Sequence, residues 1–219
     1  AQSSIVHPNV VRVFSFATMQ ARMVLVMELV HGHDLQQLLA TAKTPFGMQQ
    51  LAWVQQQAVI GLAEVHRHGY VHADIKPSNF LLGEDDARRQ VLKIADFGIA
   101  RSLRQELTGG TGRKRSGTPG YMSPEQIGAA RLTAASDIYS LGAVFYELQT
   151  GQPVFPLDDP NLLERHLHDR PRPVRSLRPD ISAGWATLIE QMLAKHPDAR
   201  PRSTREIYER LVTDGGATS

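Results

Sequence analysis

Apolar positions change period along the chain, and each change marks an element. Val10 to Phe16 interleaves Val, Arg, Val, Phe, Ser and Phe, and Met23 to Val30 is nearly all apolar, so the two predict a pair of strands. Ahead of them, Ala1 to His7 reads as the end of a helix, because Pro8 cannot continue one. Gly32 breaks the second strand. Asp34 is placed to cap a short helix carrying Leu35, Leu38 and Leu39. Met48 to His68 repeats Leu51, Val54, Ala58, Leu62 and Val65 at three- and four-residue spacing, which predicts a long helix ended by Gly69. Phe80-Leu81-Leu82 and Val91 to Ala95 read as two short strands joined by a polar turn over Gly83 to Gln90.

The pattern lapses from Ile99 to Thr118. Gly109-Gly110-Thr111-Gly112 followed by Arg113-Lys114-Arg115 reads as a mobile loop. Periodicity then returns. Ser123 to Gln126 is a capping box with Pro124 at the first helical position. Asp137 is placed to cap a helix whose stripe is Ile138, Leu141, Phe145 and Leu148 and which Gly151 ends. Asp159-Pro160 opens a further helix to His168, and a proline-rich run follows from Pro171 to Pro179. Trp185, Leu188, Ile189 and Met192 make another helical stripe. Ser203-x-x-Glu206 opens the last helix to Leu211, and Thr213 to Ser219 has the small polar character of a linker. The stripes are the candidate core, and the mixture of strands and helices predicts an α+β chain.

Composition narrows the function. With 42% apolar residues in 219, a real core is expected. No cysteine is present, so disulfide and thiol chemistry are excluded. The net charge of +2 gives no argument for nucleic acid. No apolar run reaches 18 residues, so no membrane segment is predicted and a cytoplasmic location is expected, with tethering through a downstream segment left open. The pairs His31/His33, His66/His68 and His166/His168 lack the third and fourth ligands that a zinc site needs.

The chemistry concentrates between His72 and Gly98. The chain runs His72-Ala73-Asp74-Ile75-Lys76-Pro77-Ser78-Asn79, then the two apolar runs, then Asp96-Phe97-Gly98. Phosphoryl transfer needs a carboxylate to orient a hydroxyl and accept its proton, oxygen ligands for Mg²⁺, and a cation near the transferring phosphate. Asp74 is the candidate base, Lys76 the cation, and Asn79 and Asp96 the metal ligands. Read structurally, Asp74 and Asp96 are turn and strand-end acids, but that reading does not call for Lys76 and Asn79 at these offsets.

At these residues the chain resembles a serine/threonine protein kinase of the bacterial, eukaryotic-like type. The resemblance rests on His72-x-Asp74-x-Lys76-x-x-Asn79, on Asp96-Phe97-Gly98 and on Ser123-Pro124-Glu125, in that order. It spans about residues 1–212 and implies a protein-kinase-like fold: a mainly helical large lobe over 31–212, with the last two strands of a small β lobe and the hinge over 1–30, and a tail over 213–219. It implies ATP and Mg²⁺ as cofactors and protein substrates as partners, and it leaves a homodimer for autophosphorylation open. It places Met27 just before the hinge at the gatekeeper position; Met27 also reads as a packed core methionine, and both readings can hold. Glu28 and Val30 would meet adenine, Asp34 ribose, and Leu81 would lie under adenine; capping alone also explains Asp34. Thr108, Thr111 and Ser116 become candidate phosphosites on an activation loop. Thr118 would sit against Asp74 and Lys76, Glu125 would pair with Arg200, and Asp137 would brace the catalytic loop.

The sequence departs from the family at two places. Ala73 stands where an arginine often receives the loop phosphate, which weakens the expectation of regulation by loop phosphorylation. No Gly-x-Gly-x-x-Gly run precedes the hinge and no lysine precedes Lys43, so most of the small lobe is expected to be absent and the chain alone is expected to bind ATP weakly and transfer phosphate poorly. A non-catalytic pseudokinase-like scaffold is the alternative that this absence favours. A small-molecule phosphotransferase is the other, against which Ser123-Pro124-Glu125 and Arg200 argue.

Overall fold

The computed structural model describes residues 5–19, 22–41, 47–85, 87–96 and 117–215. Strands β1 (Val13–Met19) and β2 (Arg22–Met27) pair antiparallel as a two-stranded sheet, with Val13 opposite Met27 and Phe16 opposite Leu25. The pair is shifted from the expected spans. Val10 and Val11 do not join β1; they are buried, and Asn9 and Val11 hydrogen-bond instead to Ile94 in the second sheet. That tie carries the first sheet on the second. Ile5 and Val6 are not helical, and His7 bridges to Val10, so the expected helix end does not extend into the described residues.

The second sheet orders β3 (Gly32–Asp34), β4 (Phe80–Glu84) and β5 (Gln90–Ile94), all antiparallel. Gly32 was expected to break a strand; instead it lies directly opposite Gly83. A Cβ on Gly32 would run into the Leu82 carbonyl oxygen, so the glycine lets two backbones close up.

The helices follow the apolar stripes. They are α1 (Leu35–Thr41), α2 (Met48–Arg67), α3 (Pro124–Ile127), α4 (Ala134–Thr150), α5 (Leu162–His168), α6 (Val174–Leu177), α7 (Ala183–Met192) and α8 (Thr204–Gly215). Asp34 caps α1 through the Gln37 amide at 2.8 Å. Gly69 and Gly151 follow α2 and α4 with φ of 77° and 69°, left-handed values that glycine adopts at little cost. The N-cap of α4 is Thr133 and not Asp137, because Thr133 and Ser136 form the reciprocal capping pair. Asp137 is thereby left in the first turn, free to face another element. The last helix continues past Leu211 to Gly215.

Helix α4 is the central post. Tyr139, Phe145, Val144 and Leu148 are buried along it, packed with Leu62 and Val65 of α2, Leu188 and Ile189 of α7, and Ile207 of α8. A helix apolar around most of its circumference must be surrounded, and α4 is. Among the described residues no helix is long and apolar enough to cross a membrane.

Candidate active site

The site is built on the segment between α2 and β4. Asp137 carries it. Its carboxylate accepts from the His72 amide (2.8 Å, Oδ2) and the Ala73 amide (2.8 Å, Oδ1), and Oδ2 also meets His66 Nε2 at 2.8 Å. Ala73 is buried with φ of 65°, a left-handed conformation costing an alanine about 1–2 kcal/mol. Both of its peptide groups are pinned, since its carbonyl accepts from Gln126 Nε2 at 2.8 Å. The loop is therefore held in a strained shape from two sides, by α4 and by α3.

His72 holds the other flank. Its buried ring makes one bond to the Ala95 carbonyl at 3.0 Å and accepts one from the Asp74 amide at 3.3 Å. Burial pushes the imidazole below its ordinary pKa and Asp137 pulls it back only in part. The neutral ring fits the network, with the proton on Nε2 and Nδ1 accepting. Asn79 completes the frame: its Nδ2 donates to the Asp74 carbonyl at 2.7 Å and its own carbonyl accepts from the Ala95 amide at 2.8 Å. The first bond closes the loop on itself and the second ties it to the strand end that precedes Asp96.

Within that frame the Asp74 carboxylate is held between two donors. Lys76 Nζ lies 2.7 Å from Oδ2, and Thr118 Oγ1 donates to Oδ1 at 3.2 Å. Both side chains of the Asp74–Lys76 pair are about one-quarter to one-third exposed, at 30% and 26%, so the carboxylate still faces an incoming group. Asp74, Ile75, Gly117, Thr118, Tyr121 and Ser140 line one recess. Asp96 is exposed and follows β5 with φ of 59°, in the left-handed region. Phe97, Gly98, Thr108, Thr111 and Ser116 lie outside the described residues.

Just after β2, Glu28 is internally committed. Its amide donates to the Arg12 carbonyl at 2.8 Å, and its carboxylate takes the Arg12 amide at 3.0 Å and Lys93 Nζ at 2.8 Å. Met27 is 43% exposed, so it is not a packed core side chain. Leu81 on the central strand stands opposite Asp34 on one side and Lys93 on the other, which brings Asp34, Leu81 and the Glu28–Lys93 pair into one row across the sheet.

The segment after Thr118 is braced from below. Arg200 grips Glu125 with Nη1–Oε1 at 2.7 Å and Nη2–Oε2 at 2.9 Å, and Tyr121 donates to Glu147 at 2.6 Å. Burial raises the Glu125 carboxyl, but the Arg200 hydrogen bonds and charge outweigh it and leave the group below its ordinary value. Glu147, buried with only the Tyr121 hydroxyl to offset burial, stands above its ordinary value. Two residues of this framework escaped the sequence reading, His66 and Glu147, and Gln126 was read only for its capping box with Ser123. His66 was legible only as one of a His-x-His pair, and Glu147 sits in an ordinary helical context.

Comparison with known proteins gives the class. Residues 1–211 match the protein kinase domain family. The chain belongs to that family. It is 34% identical to the serine/threonine-protein kinase pkn2 of Myxococcus xanthus over 99% of this chain and 26% of that protein. It is 31% identical to the serine/threonine-protein kinase PknB of Mycobacterium leprae over 94% of this chain and 33% of that one. The fold matches the crystal structure of the Mycobacterium tuberculosis PknI kinase domain with a TM-score of 0.76 at 23% identity, over 98% of this chain and 74% of that chain. The chain thus spans about a quarter to a third of the two curated relatives.

Proposed function

We propose that this chain carries the phosphotransfer site of an ATP-dependent serine/threonine protein kinase. The observation that supports it best is the Asp74 carboxylate held at 2.7 Å from Lys76 and 3.2 Å from Thr118 on a loop fixed by Asp137. Asp74 orients a substrate hydroxyl and takes its proton; Lys76 keeps positive charge beside the phosphoryl oxygens as they move. Thr118 fixes the carboxylate's rotation and favours serine and threonine acceptors. Asn79 and Asp96 fit Mg²⁺ by chemistry: the Asn79 amide nitrogen is used on the Asp74 carbonyl, which leaves its side-chain oxygen, and Asp96 offers an exposed carboxylate. When bound, Mg²⁺ offsets phosphate charge. Asp34, Leu81, Glu28 and Val30 border the place proposed for the nucleoside.

The 219 residues hold no Gly-x-Gly-x-x-Gly run before Glu28 and no lysine before Lys43, so these residues alone are expected to hold ATP weakly. Calorimetric titration with Mg²⁺ and ATP tests the metal assignment. Heat of binding that falls in Asp96→Asn and needs Mg²⁺ is expected. Binding indifferent to both Mg²⁺ and Asp96→Asn would remove the metal site from the account.

A further inference from the structure

One half-buried ammonium has no part in the phosphotransfer recess. Lys195, on the turn after α7, points inward. Its Nζ donates to the His166 and Arg165 carbonyls in α5, at 2.8 and 3.3 Å, and to the Tyr139 hydroxyl of α4 at 3.2 Å. An ammonium has three donors, and these contacts use all of them. The carbonyl end of a helix attracts a cation. The Phe155 and Tyr139 rings, 5.2 and 5.5 Å from Nζ, favour it too.

The contacts run on from Lys195 in one direction. The Tyr139 hydroxyl accepts from Nζ and meets His166 Nδ1 at 2.9 Å. Both side chains are fully buried, and Phe155 lies edge-on to the His166 ring at 5.0 Å. Burial, and then the Lys195 charge, hold His166 down at about 4, so its ring is neutral. Burial raises Tyr139, so its hydroxyl keeps its proton. The hydroxyl therefore donates to Nδ1, and the ring carries its own proton on Nε2. Nε2 is buried with no partner at full hydrogen-bond distance, and the backbone acceptor that acts on the ring is the Gly120 carbonyl.

Gly120 belongs to the wall of the site. Helices α4 and α5 both pack against residues 119–121. Residues 118–121 form one closed turn, in which the Tyr121 amide donates to the Thr118 carbonyl at 2.9 Å. The Thr118 hydroxyl on that turn donates to Asp74 at 3.2 Å. A shift at Gly120 is thus carried to the group that fixes the Asp74 carboxylate.

We infer that Lys195 is a positioning residue for phosphotransfer, setting through Tyr139 and His166 the turn that carries Thr118. The inference rests on the kinase reading above and adds to it a residue that touches neither the substrate nor Asp74.

The surroundings of Lys195 make the role visible to pH. Burial brings its pKa down to about 8; Asp169 of α5 opposes this and Arg200 adds to it. Arg165 is paired with Asp159 and Asp169, Arg200 with Glu125, and His196 and Asp198, beside Lys195, are exposed and face each other. Above about pH 8 Lys195 loses one of its three donors. Stability moves the other way. The folded pKa lies below the ordinary 10.5, so the folded state gains on the unfolded as pH rises between the two. Positioning and stability therefore change with opposite signs over one pH range.

The link is read on this chain by NMR, following the Gly120 and Tyr121 amides as pH rises from about 6.5 to 9.5. A step near pH 8 is expected in the parent and not in Lys195→Met, which keeps the length of the side chain without its charge. Turnover is read in the full gene product. Relative to Lys195→Arg, which stays charged, the parent is expected to lose up to about tenfold in kcat by about pH 9, where roughly a tenth of Lys195 keeps its proton, with KM for ATP unchanged. Lys195→Met is expected to begin low at neutral pH and to lack that alkaline fall. Amides indifferent to Lys195 overturn the inference, as does the same kcat profile in the parent and Lys195→Met. A kcat that tracks melting temperature across variants and pH gives Lys195 a structural role only and overturns it too. A Lys195-dependent step at Gly120 in a full gene product that transfers no phosphate would keep the link and reject the kinase reading.

Discussion

Arg200 and Glu125, 75 residues apart, meet through two parallel hydrogen bonds of 2.7 and 2.9 Å, with the arginine side chain wholly buried. The guanidinium has no spare donors: it also reaches the Ala194, Ala135 and Lys195 carbonyls at 2.8, 2.8 and 3.0 Å. The pair fastens the segment containing Ser123, and so the wall of the recess, to the end of the core. Breaking one partner strands the other in a buried site. Arg200→Met is expected to cost about 3–5 kcal/mol in urea unfolding, and Glu125→Gln somewhat less. The double variant is expected to cost less than the sum of the two, because neither charge is then left unpaired.

Two buried carboxyls near the same segment respond to pH with opposite signs. Arg200 holds Glu125 below its ordinary value, so its stabilisation is present above the unfolded pKa and is lost as pH falls through the folded one. Burial holds Glu147 above its ordinary value, so its contribution is greatest below the unfolded pKa and is lost as pH rises through the folded one. Glu147→Gln keeps an oxygen for the Tyr121 hydroxyl and removes the ionisation. The difference in melting temperature, variant minus parent, is expected to grow as pH rises from about 4.5 towards 7. A difference that does not change with pH would show that Glu147 does not titrate in that range.

Asp137 holds the loop that carries Asp74 through two backbone amides. Asp137→Ala leaves both buried N–H groups without their partner, at about 1–3 kcal/mol each, and frees Ala73 from its left-handed conformation. Urea unfolding reads the first effect. In the full gene product the second is expected as a fall in kcat larger than any rise in KM for ATP, because the loop would still reach the nucleotide but no longer hold Asp74 in place.

Much of this was legible in the chain. Motifs whose chemistry needs residues at short fixed offsets, such as Asp74, Lys76 and Asn79, were readable because the loop is local. Helices were readable from their stripes: Leu51 to Val65 predicted α2 to within a residue. The failures come from long-range pairing. Val10 looked like part of a strand with its neighbours, yet it turns to meet Ile94. Gly32 looked like a breaker because the close approach to Leu82 is invisible in sequence. Asp137 looked like a cap, yet Thr133 and Ser136 satisfy the helix end first and leave its carboxylate for His72. His66 and Glu147 carry no local signal, since their partners lie 71 and 26 residues away; Gln126 shows its capping box with Ser123 but not its bond to the Ala73 carbonyl, 53 residues away.

The central claim is that Asp74 acts on the substrate hydroxyl. It is tested most directly by single-turnover transfer from radiolabelled ATP to a generic basic protein, using the full gene product and its Asp74→Asn variant, with ATP affinity measured beside it. The account predicts label on serine and threonine in the parent. In the variant it predicts a rate lower by about 10²–10⁴-fold with ATP affinity little changed. Equal rates in the two proteins, or no transfer by the parent at saturating Mg²⁺ and ATP, would contradict it.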